Sequence, residues 1–355
     1  MSFDDETDAA AGRPPAAGSA RRATIRDVAR RAGVSIGTAS KALNASGRLR
    51  QETRDRVAQA AGELGFRPNN LAQSLHRTHS MTVGIISTDS FGRFTFPIVE
   101  ALEEQLAGQG IAVFMCNATD DPERERAHVD QLLGKRVDGI LVTARRSDRR
   151  PPISVPGHAL PVIYVFSQSD DPDALCLVPD DEGGARLAVE HLLAQGRRRI
   201  AHVSGPANFE AVSLRRNGYR QALAAAGVAA PEHYYLNGRW SEAWGRDAVA
   251  QLFSGAFEAP DALFCGNDQI ARGAADALRE RGLRVPEDVA IVGFDNWEVM
   301  VGASRPPLSS IDMNLRSLGR EAGQRLIAMI AGEKATGVRR LPCTLVVRRS
   351  SDPLS

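Results

Sequence analysis

The stretch RDVARRAGVSIGTASKALN, residues 26–44, combines basic and hydroxyl side chains at helical spacing, which suits contact with a polyanion. Thr24 and Asp27 have the spacing of a capping box and predict the start of a first helix. Gly33 can adopt the left-handed conformation that ends it, and Ser35 predicts the N-cap of a second helix. Two helices joined by so tight a turn make a helix-turn-helix, whose second helix can enter the major groove of DNA.

Charge is unevenly distributed along the 355 residues. Residues 21–80 hold 12 Lys/Arg and 4 Asp/Glu, whereas residues 81–355 hold 31 Lys/Arg and 35 Asp/Glu. A basic front on a mildly acidic body suggests a polyanionic partner for the front alone. Without the helix-turn-helix pattern, a solvated basic surface would explain the same charges.

Several function classes lack support in the sequence. The four cysteines lie far apart and form no C-x-x-C motif, so we expect reduced core thiols, a cytoplasmic protein, and neither a metal site nor a cofactor. No apolar run approaches the ~20 residues that span a bilayer. Residues 1–22 lack the basic and apolar regions of a signal peptide, and their composition predicts a disordered leader.

From residue 81 onward the pattern changes to apolar strands that alternate with amphipathic helices, as in MTVGIIS and IAVFMCN. This alternation is typical of parallel sheets covered by helices on both faces. The series is too long for one compact sheet and shows a weak repeat, so we predict two similar lobes. After the strands DGILVTA and PVIYVF the next predicted elements are a helix over 183–195, the strand RIAHVSG and a helix over 214–226.

The opening stretch resembles the DNA-binding headpiece of the lactose-repressor (LacI/GalR) family of bacterial transcription regulators. The resemblance continues through ETRDRVAQAAGELGFRPNNLAQSL and, in the body, through LFCGNDQIARGAADALRERGLRVPEDVAIVGFDN. It implies an α/β fold with an N-terminal three-helix head and a hinge helix, followed by a two-lobed, periplasmic-binding-protein-like core of parallel sheets. The implied division is a leader over 1–22, a DNA-binding domain over 23–66, a hinge over 67–79, and an effector-binding and dimerisation domain over 80–355.

The resemblance places Ile36, Gly37 and Lys41 at positions that read base edges. Lys41 can donate to guanine O6 or N7, and Ile36 can contact a thymine methyl group. Gly37 departs from the polar residues that are frequent there and offers no side chain. Further implied DNA contacts are phosphate donors that fix register without reading sequence: Thr24, Ser35, Thr38, Ser40 and Asn44. Helix capping by the hydroxyl groups and a solvated Lys41 are the alternatives.

The segment PNNLAQSL resembles the hinge helix of the family. The resemblance implies that Asn69, Ala72 and Gln73 line the minor groove and that Leu75 is a wedge between base pairs, which bends the duplex. The alternative is an ordinary linker with Leu75 packed on the core. Two heads on a homodimer imply a roughly palindromic operator.

The body has its expected ligand site between the lobes, at the carboxyl ends of parallel strands. Arg215 suits paired hydroxyls or a carboxylate, and Asp295 can accept two sugar hydroxyl bonds. The other implied effector residues are Phe94, Phe166, Asp180, Trp240 and Asn267. Phe166 stands where the family often has an acidic residue. The alternatives are a surface charge for Arg215, a turn residue for Asp295, and core packing for Trp240 and Phe94. The expected ligand is a neutral sugar or a small oligosaccharide.

Rival functions find less support. The chain has no G-x-G-x-x-G or P-loop pattern, so no nucleotide-binding enzyme class is indicated. The acidic pairs such as Asp180–Asp181 are expected to be solvated turn or cap residues. We therefore predict a repressor whose affinity for its operator is set by a small molecule through a population shift. A sugar-binding protein or an activator without a repressor role is the alternative.

Overall fold

A computed structural model of the chain describes residues 23–44, 47–66, 79–89, 92–157, 159–352 and 354. The chain divides after Thr78 into two compact units. The leader predicted over 1–22 and nearly all of the hinge predicted over 67–79 lie outside the described residues.

In the part of it that the structure describes, the first unit, called the head, has three helices: α1 (Ile25–Ala32), α2 (Ile36–Leu43) and α3 (Gln51–Glu63). Thr24 and Asp27 form the predicted capping box, and Gly33 ends α1 with φ 65°. The three helices share a small core in which Val28, Ala39 and Val57 are fully buried. The predicted helix-turn-helix is confirmed.

The second unit is built from many short elements. Its strands are β1 (Thr82–Ser87), β2 (Ala112–Asn117), β3 (Gly139–Thr143), β4 (Arg149–Arg150), β5 (Val162–Val165), β6 (Gln168–Ser169), β7 (Leu175–Pro179), β8 (Ile200–Ser204), β9 (Tyr235–Asn237), β10 (Ala262–Cys265), β11 (Ala290–Phe294), β12 (Ser309–Asp312), β13 (Gly337–Leu341) and β14 (Thr344–Val346). Its helices are α4 (Thr95–Ala107), α5 (Pro122–Gly134), α6 (Asp181–Ala194), α7 (Glu210–Ala225), α8 (Glu242–Leu252), α9 (Asp268–Glu280), α10 (Glu298–Ala303) and α11 (Leu315–Ile330), with a 3-10 turn at Glu232–Tyr234.

These strands form two large sheets, each the centre of one lobe. The N-lobe sheet has the order β13-β7-β5-β3-β1-β2, and the C-lobe sheet has the order β14-β12-β11-β10-β8-β9. Paired neighbours are parallel except β12 and β14, which are antiparallel. The chain crosses between the lobes after β7, after β12 and after β13, so α6 packs on α7 in the C-lobe and α11 packs on α4 in the N-lobe. The predicted two lobes of parallel sheets are confirmed.

The structure differs from the predicted elements at β7 and at the start of α7. The strand β7 was not predicted, because its short run LCLVP ends in a proline and proline discourages assignment to a sheet interior. In the structure Pro179 is the last residue of the strand, where its missing N–H costs little. Helix α7 begins at Glu210, four residues before the predicted Leu214. No local capping side chain marks this start, since the residue at the N-cap position is Phe209.

The cysteines agree with the expectation of core thiols in most respects. All four are free, and Cys176, Cys265 and Cys343 are buried while Cys116 is half-buried. Among the helices of the described residues, none is both long enough and apolar enough to cross a membrane.

Candidate functional sites

The head presents one face of α2 to solvent. Ile36 is 48% exposed, and Gly37 and Lys41 are exposed beside it. Ser40 and Asn44 lie on the same face at helical spacing and are half-buried. The exposed face therefore carries an apolar side chain, a bare backbone and an ammonium group, which is the set predicted to meet base edges.

The hydroxyl residues of the head have structural partners. The Thr24 hydroxyl donates to Asp27 (2.6 Å), and the Ser35 Oγ accepts the N–H of Thr38 (3.1 Å) as the N-cap of α2. Asn44 Nδ2 donates to Ser40 Oγ (3.3 Å). These bonds stabilise the ends of the two helices. Ser40 accepts in its bond and keeps its hydroxyl proton for a phosphate, whereas the single proton of the Thr24 hydroxyl is already donated to Asp27.

The hinge residues Asn69, Ala72, Gln73 and Leu75 lie outside the described residues. Their assignment to the minor groove stays a prediction.

A cleft of about 1600 Å³ separates the N-lobe from the C-lobe at the carboxyl ends of their strands. Six of the seven predicted effector residues line it: Phe94, Phe166, Arg215, Trp240, Asn267 and Asp295. Asp180 does not line this cleft. Its carboxylate accepts the N–H of Gly183 (3.0 Å) as the N-cap of α6, and it borders a smaller polar pocket.

Arg215 is held rigidly within the C-lobe. Its Nε and Nη2 approach Asp181 Oδ1 at 2.8 and 2.6 Å, and its Nη1 donates to the carbonyl of Gly266. Its guanidinium also lies 3.6 Å from the ring centroid of Phe294. Since a guanidinium has five N–H bonds and three are used here, two remain for a ligand in the cleft.

The prediction for Asp181, the partner of Arg215, is wrong. Asp181 was expected to be a solvated cap, but only 1% of it is exposed. Burial raises the pKa of Asp181, and the positive charge of Arg215 opposes that rise. In the sequence, Arg215 could have indicated that a carboxylate such as Asp181 is buried, because an arginine on a buried helix face needs a carboxylate partner.

Asp295 joins the two lobes. Its Oδ2 accepts a bond from the Arg93 guanidinium of the N-lobe, and its Oδ1 lies 3.9 Å from Arg215 Nη2. Asp295 has φ 100°, which places its backbone in a region that side-chain-bearing residues rarely adopt. Strain of this kind persists where surrounding structure fixes it, and it is concentrated at functional sites. Arg93 was not predicted.

Aromatic rings line both sides of the cleft. Phe94 and Phe166 stack with centroids 4.7 Å apart on the N-lobe side. Trp240 and Phe209 lie 6.2 Å apart on the C-lobe side. The Arg93 guanidinium is 4.7 Å from the Phe94 ring and 4.4 Å from the Trp297 ring. Flat apolar faces beside fixed polar groups are the usual composition of a small-molecule site.

Two adjacent residues at the start of α9 have separate tasks. Asn267 Oδ1 accepts the N–H of Ile270 (2.9 Å), which leaves its Nδ2 for the cleft. Asp268 is fully buried and accepts bonds from Ser310 Oγ (2.5 Å) and from the N–H of Trp297 (2.7 Å). Burial raises the pKa of Asp268 to about 7, with a further contribution from the nearby charge of Asp295. Asp268 thereby braces the loop that carries Asp295.

Comparisons with known proteins decide the family. A family profile described as bacterial regulatory proteins, lacI family, matches residues 24–69, and one for the periplasmic binding protein-like domain matches residues 189–351. The HTH-type transcriptional repressor PurR of Haemophilus influenzae (strain PittEE) is 34% identical over 340 residues, which cover 92% of this chain and 98% of that protein. The chain belongs to the lacI family.

Solved structures of lacI-family proteins share its architecture. The Lac repressor dimer bound to operator and the anti-inducer ONPF is 29% identical with a TM-score of 0.77, over 93% of this chain and 99% of that one. A complex of the transcriptional regulator CelR with cellobiose is 30% identical with a TM-score of 0.64, over 93% of this chain and 100% of that one. This lacI-family member is accordingly a DNA-binding transcription repressor under effector control, and it is not an enzyme.

Proposed function

We propose that this repressor binds a roughly palindromic operator as a homodimer and that a neutral carbohydrate in the cleft sets its affinity for that operator. In this proposal residues 23–66 hold the duplex, residues 67–79 form the hinge, and residues 80–355 bind the effector and the second protomer. A regulator of transcription works where the chromosome is, so we place the protein in the cytoplasm.

The exposed face of α2 supports the assignment of the head. Lys41 is its one cation, and a lysine ammonium that donates to both O6 and N7 of a guanine discriminates by ~1–3 kcal/mol. Ile36 adds apolar contact with thymine. Because Gly37 contributes no side chain, we expect a larger share of the affinity to come from phosphate contacts, and this share decreases with salt.

The hinge assignment is tested separately. Leu75→Ala should weaken operator binding and leave effector binding nearly intact, because the wedge acts only on DNA. An unchanged operator affinity in this variant would remove the wedge from the proposal.

The observation that carries the effector assignment is the combination of aromatic faces and paired charges in the cleft. Two of the arginines that line it, the half-buried Arg93 and the buried Arg215, already have carboxylate partners in Asp295 and Asp181. A neutral polyhydroxyl ligand brings no charge to compensate, donates to Asp295, accepts from Arg215, and lays its C–H faces on rings such as Trp240.

A homodimer is supported by the edge of the N-lobe sheet. Strand β2 is an edge strand, and on it Phe114 and Met115 are 46% and 41% exposed. An edge strand with exposed apolar side chains favours pairing with another chain, and a second copy is the partner that a two-headed repressor requires.

The coupling between the sites follows from the fold. A ligand that bridges Asp295 and the N-lobe rings favours one relative orientation of the lobes, and this orientation sets the spacing of the two hinges in the dimer. A coupling free energy of ~1–3 kcal/mol changes operator affinity ~5–150-fold.

The test is calorimetry of the full-length protein against cellobiose, maltose, lactose and glucose, with adenosine and cytidine beside them. The two nucleosides are included because the aromatic walls would also stack on a flat heterocycle. We expect a disaccharide to bind, Asp295→Ala to abolish binding, and the control Asp288→Ala, at a residue outside the cleft lining, to retain it. Binding of a nucleoside alone would overturn the carbohydrate assignment.

The DNA side is tested with duplexes selected from a random pool. A mobility shift on the selected duplex should change when the bound sugar is added. Equal affinity for selected and random duplexes, with and without sugar, would overturn the operator assignment.

A further inference from the structure

Helix α7 lacks a capping side chain of its own. Its N-cap residue is Phe209, which makes no side-chain cap bond. The first N–H groups of a helix have no partner within the helix and need an acceptor from elsewhere. The need matters here because Arg215, the central cation of the cleft, lies in the second turn of α7.

The N-lobe supplies the missing acceptor across the cleft. Asp148 Oδ1 accepts the N–H of Glu210, the first residue of α7, at 2.8 Å. Asp148 immediately precedes β4, and its carboxylate also lies 3.6 Å from Arg146 Nε. A C-lobe helix is therefore capped by an aspartate of the other lobe.

A second N-lobe residue holds the side chain of Glu210. Gln168 is 1% exposed, and its Nε2 donates to Glu210 Oε2 and to the carbonyl of Ser147, each at 2.9 Å. The small sheet of β4 and β6 aligns the two N-lobe residues, because the Gln168 N–H donates to the carbonyl of Asp148 (3.3 Å). Fixed in this way, Asp148 and Gln168 grip the backbone and side chain of one residue.

We propose that Asp148 and Gln168 form a clasp that caps α7 only when the lobes are closed, and that they are positioning residues for Arg215. The arrangement is a capping box divided between two lobes: the acceptor for the helix N–H and the partner of the first-turn glutamate both come from the N-lobe. Opening the lobes removes the acceptor, so the first turn of α7 frays and the anchor of Arg215 loosens. The clasp goes beyond the proposed function and does not depend on the chemical identity of the effector.

The clasp is separate from the ion pair of Arg93 and Asp295. That pair joins the lobes through the loops that follow β1 and β11 and leaves the start of α7 untouched. Variants of Asp148 therefore test the clasp with the ion pair intact.

The experiment measures lobe separation in the ligand-free, full-length protein. Spin labels on Glu103→Cys in α4 and Gln251→Cys in α8, both exposed, report the distance between the lobes, with Cys116→Ser removing the half-buried native thiol. Labelled chains are diluted with unlabelled ones so that distances within one protomer dominate. Hydrogen exchange of the peptide over 209–215 reports fraying of α7 in the same variants.

Asp148→Ala should raise the population of the open state about five-fold and speed hydrogen exchange at the start of α7 by a similar factor. A five-fold change in an equilibrium constant corresponds to the free energy that one N-cap contributes. Asp148→Asn should behave as the parent protein, because asparagine caps as well as aspartate. The matched control is Asp121→Ala, which removes a cap of the same kind from α5 within the N-lobe and should leave both readouts unchanged.

Three results would overturn the clasp. The first is an Asp148→Ala protein with the same distance distribution and exchange as the Asp121→Ala control. The second is an Asp148→Asn protein as open as Asp148→Ala, since that would make charge and not capping the cause. The third is an open population that rises while exchange at 209–215 does not, since α7 would then need no cap from the N-lobe.

Discussion

Replacing Arg215 by methionine tests whether the centre of the cleft is held together by a buried ion pair. The side chains of Arg215 and Asp181 are 6% and 2% exposed, so neither has access to bulk water as a substitute partner. Methionine keeps most of the apolar length of the arginine side chain and removes the guanidinium with all of its donors. The variant therefore leaves the Asp181 carboxylate buried without its cation.

Removing one partner of a buried pair costs ~3–5 kcal/mol, because the remaining charge has lost its compensation. For a chain of this size each kcal/mol lowers the melting temperature by about 2 °C, so Arg215→Met should melt about 6–10 °C below the parent protein. The exposed pair of Arg246 and Glu280, at 2.7 Å, provides the control. Arg246→Met should cost much less stability than Arg215→Met, since solvent screens the exposed pair.

The assay is urea unfolding of Arg215→Met, Asp181→Asn and the double variant. Because the two groups are in contact, the double variant should lose less stability than the sum of the single ones. The pH dependence has a definite sign. Burial raises the pKa of Asp181 in the folded state, and the loss of Arg215 raises it further. A proton bound by the folded state neutralises the orphaned carboxylate, so the deficit of Arg215→Met should shrink as the pH falls.

The reasoning is refuted if Arg215→Met costs less than ~1 kcal/mol, or if its deficit is the same at every pH. Either result would mean that the Asp181 carboxylate has another partner or is already protonated. The Arg215 N–H groups would then not be needed to compensate Asp181, and all of them could donate to a ligand.

Three further predictions concern other parts of the chain. Gly218→Ala should destabilise the second unit by ~1–3 kcal/mol in urea unfolding, because a Cβ there would lie 2.1 Å from the carbonyl oxygen of Glu182 where α7 crosses α6. Gly62→Ala, whose Cβ would meet nothing within 4 Å in α3, is the control and should be neutral or stabilising. His202 is fully buried, and burial lowers its pKa to about 3 from an ordinary value of 6.5. The stability that depends on neutral His202 is present above pH 6.5 and is lost as the pH falls toward 3, by ~1.4 kcal/mol per pH unit. His202→Gln should therefore remove this slope from the free energies of unfolding measured between pH 7 and pH 4. Lys41→Met should lower affinity for a selected operator ~10-fold in fluorescence anisotropy while affinity for random duplex falls much less, whereas an equal loss on both duplexes would make Lys41 a phosphate contact.

The sequence was sufficient for every feature whose signal is local. The capping box at Thr24, the turn at Gly33 and the N-cap at Ser35 are each made by residues at most five positions apart along the chain. The alternation of apolar strands and amphipathic helices predicted parallel sheets covered by helices, because strand and helix periods differ and each is evident within a few residues. The length of that series and its weak repeat predicted two lobes. The strand-end positions of Asn267 and Asp295 likewise predicted that both would line the cleft.

Only the tertiary structure determined which partners the charged residues of the cleft have. Arg93 meets Asp295 across 202 positions of sequence, and Arg215 meets Asp181 across 34. The start of α7 was predicted four residues late for the same reason, since its cap is Asp148, 62 positions earlier and in the other lobe. A buried charge or an uncapped helix must find a partner, and the sequence shows that need. Which partner satisfies it depends on where the folded chain brings distant segments together, and periodicity along the chain carries no information about that distance.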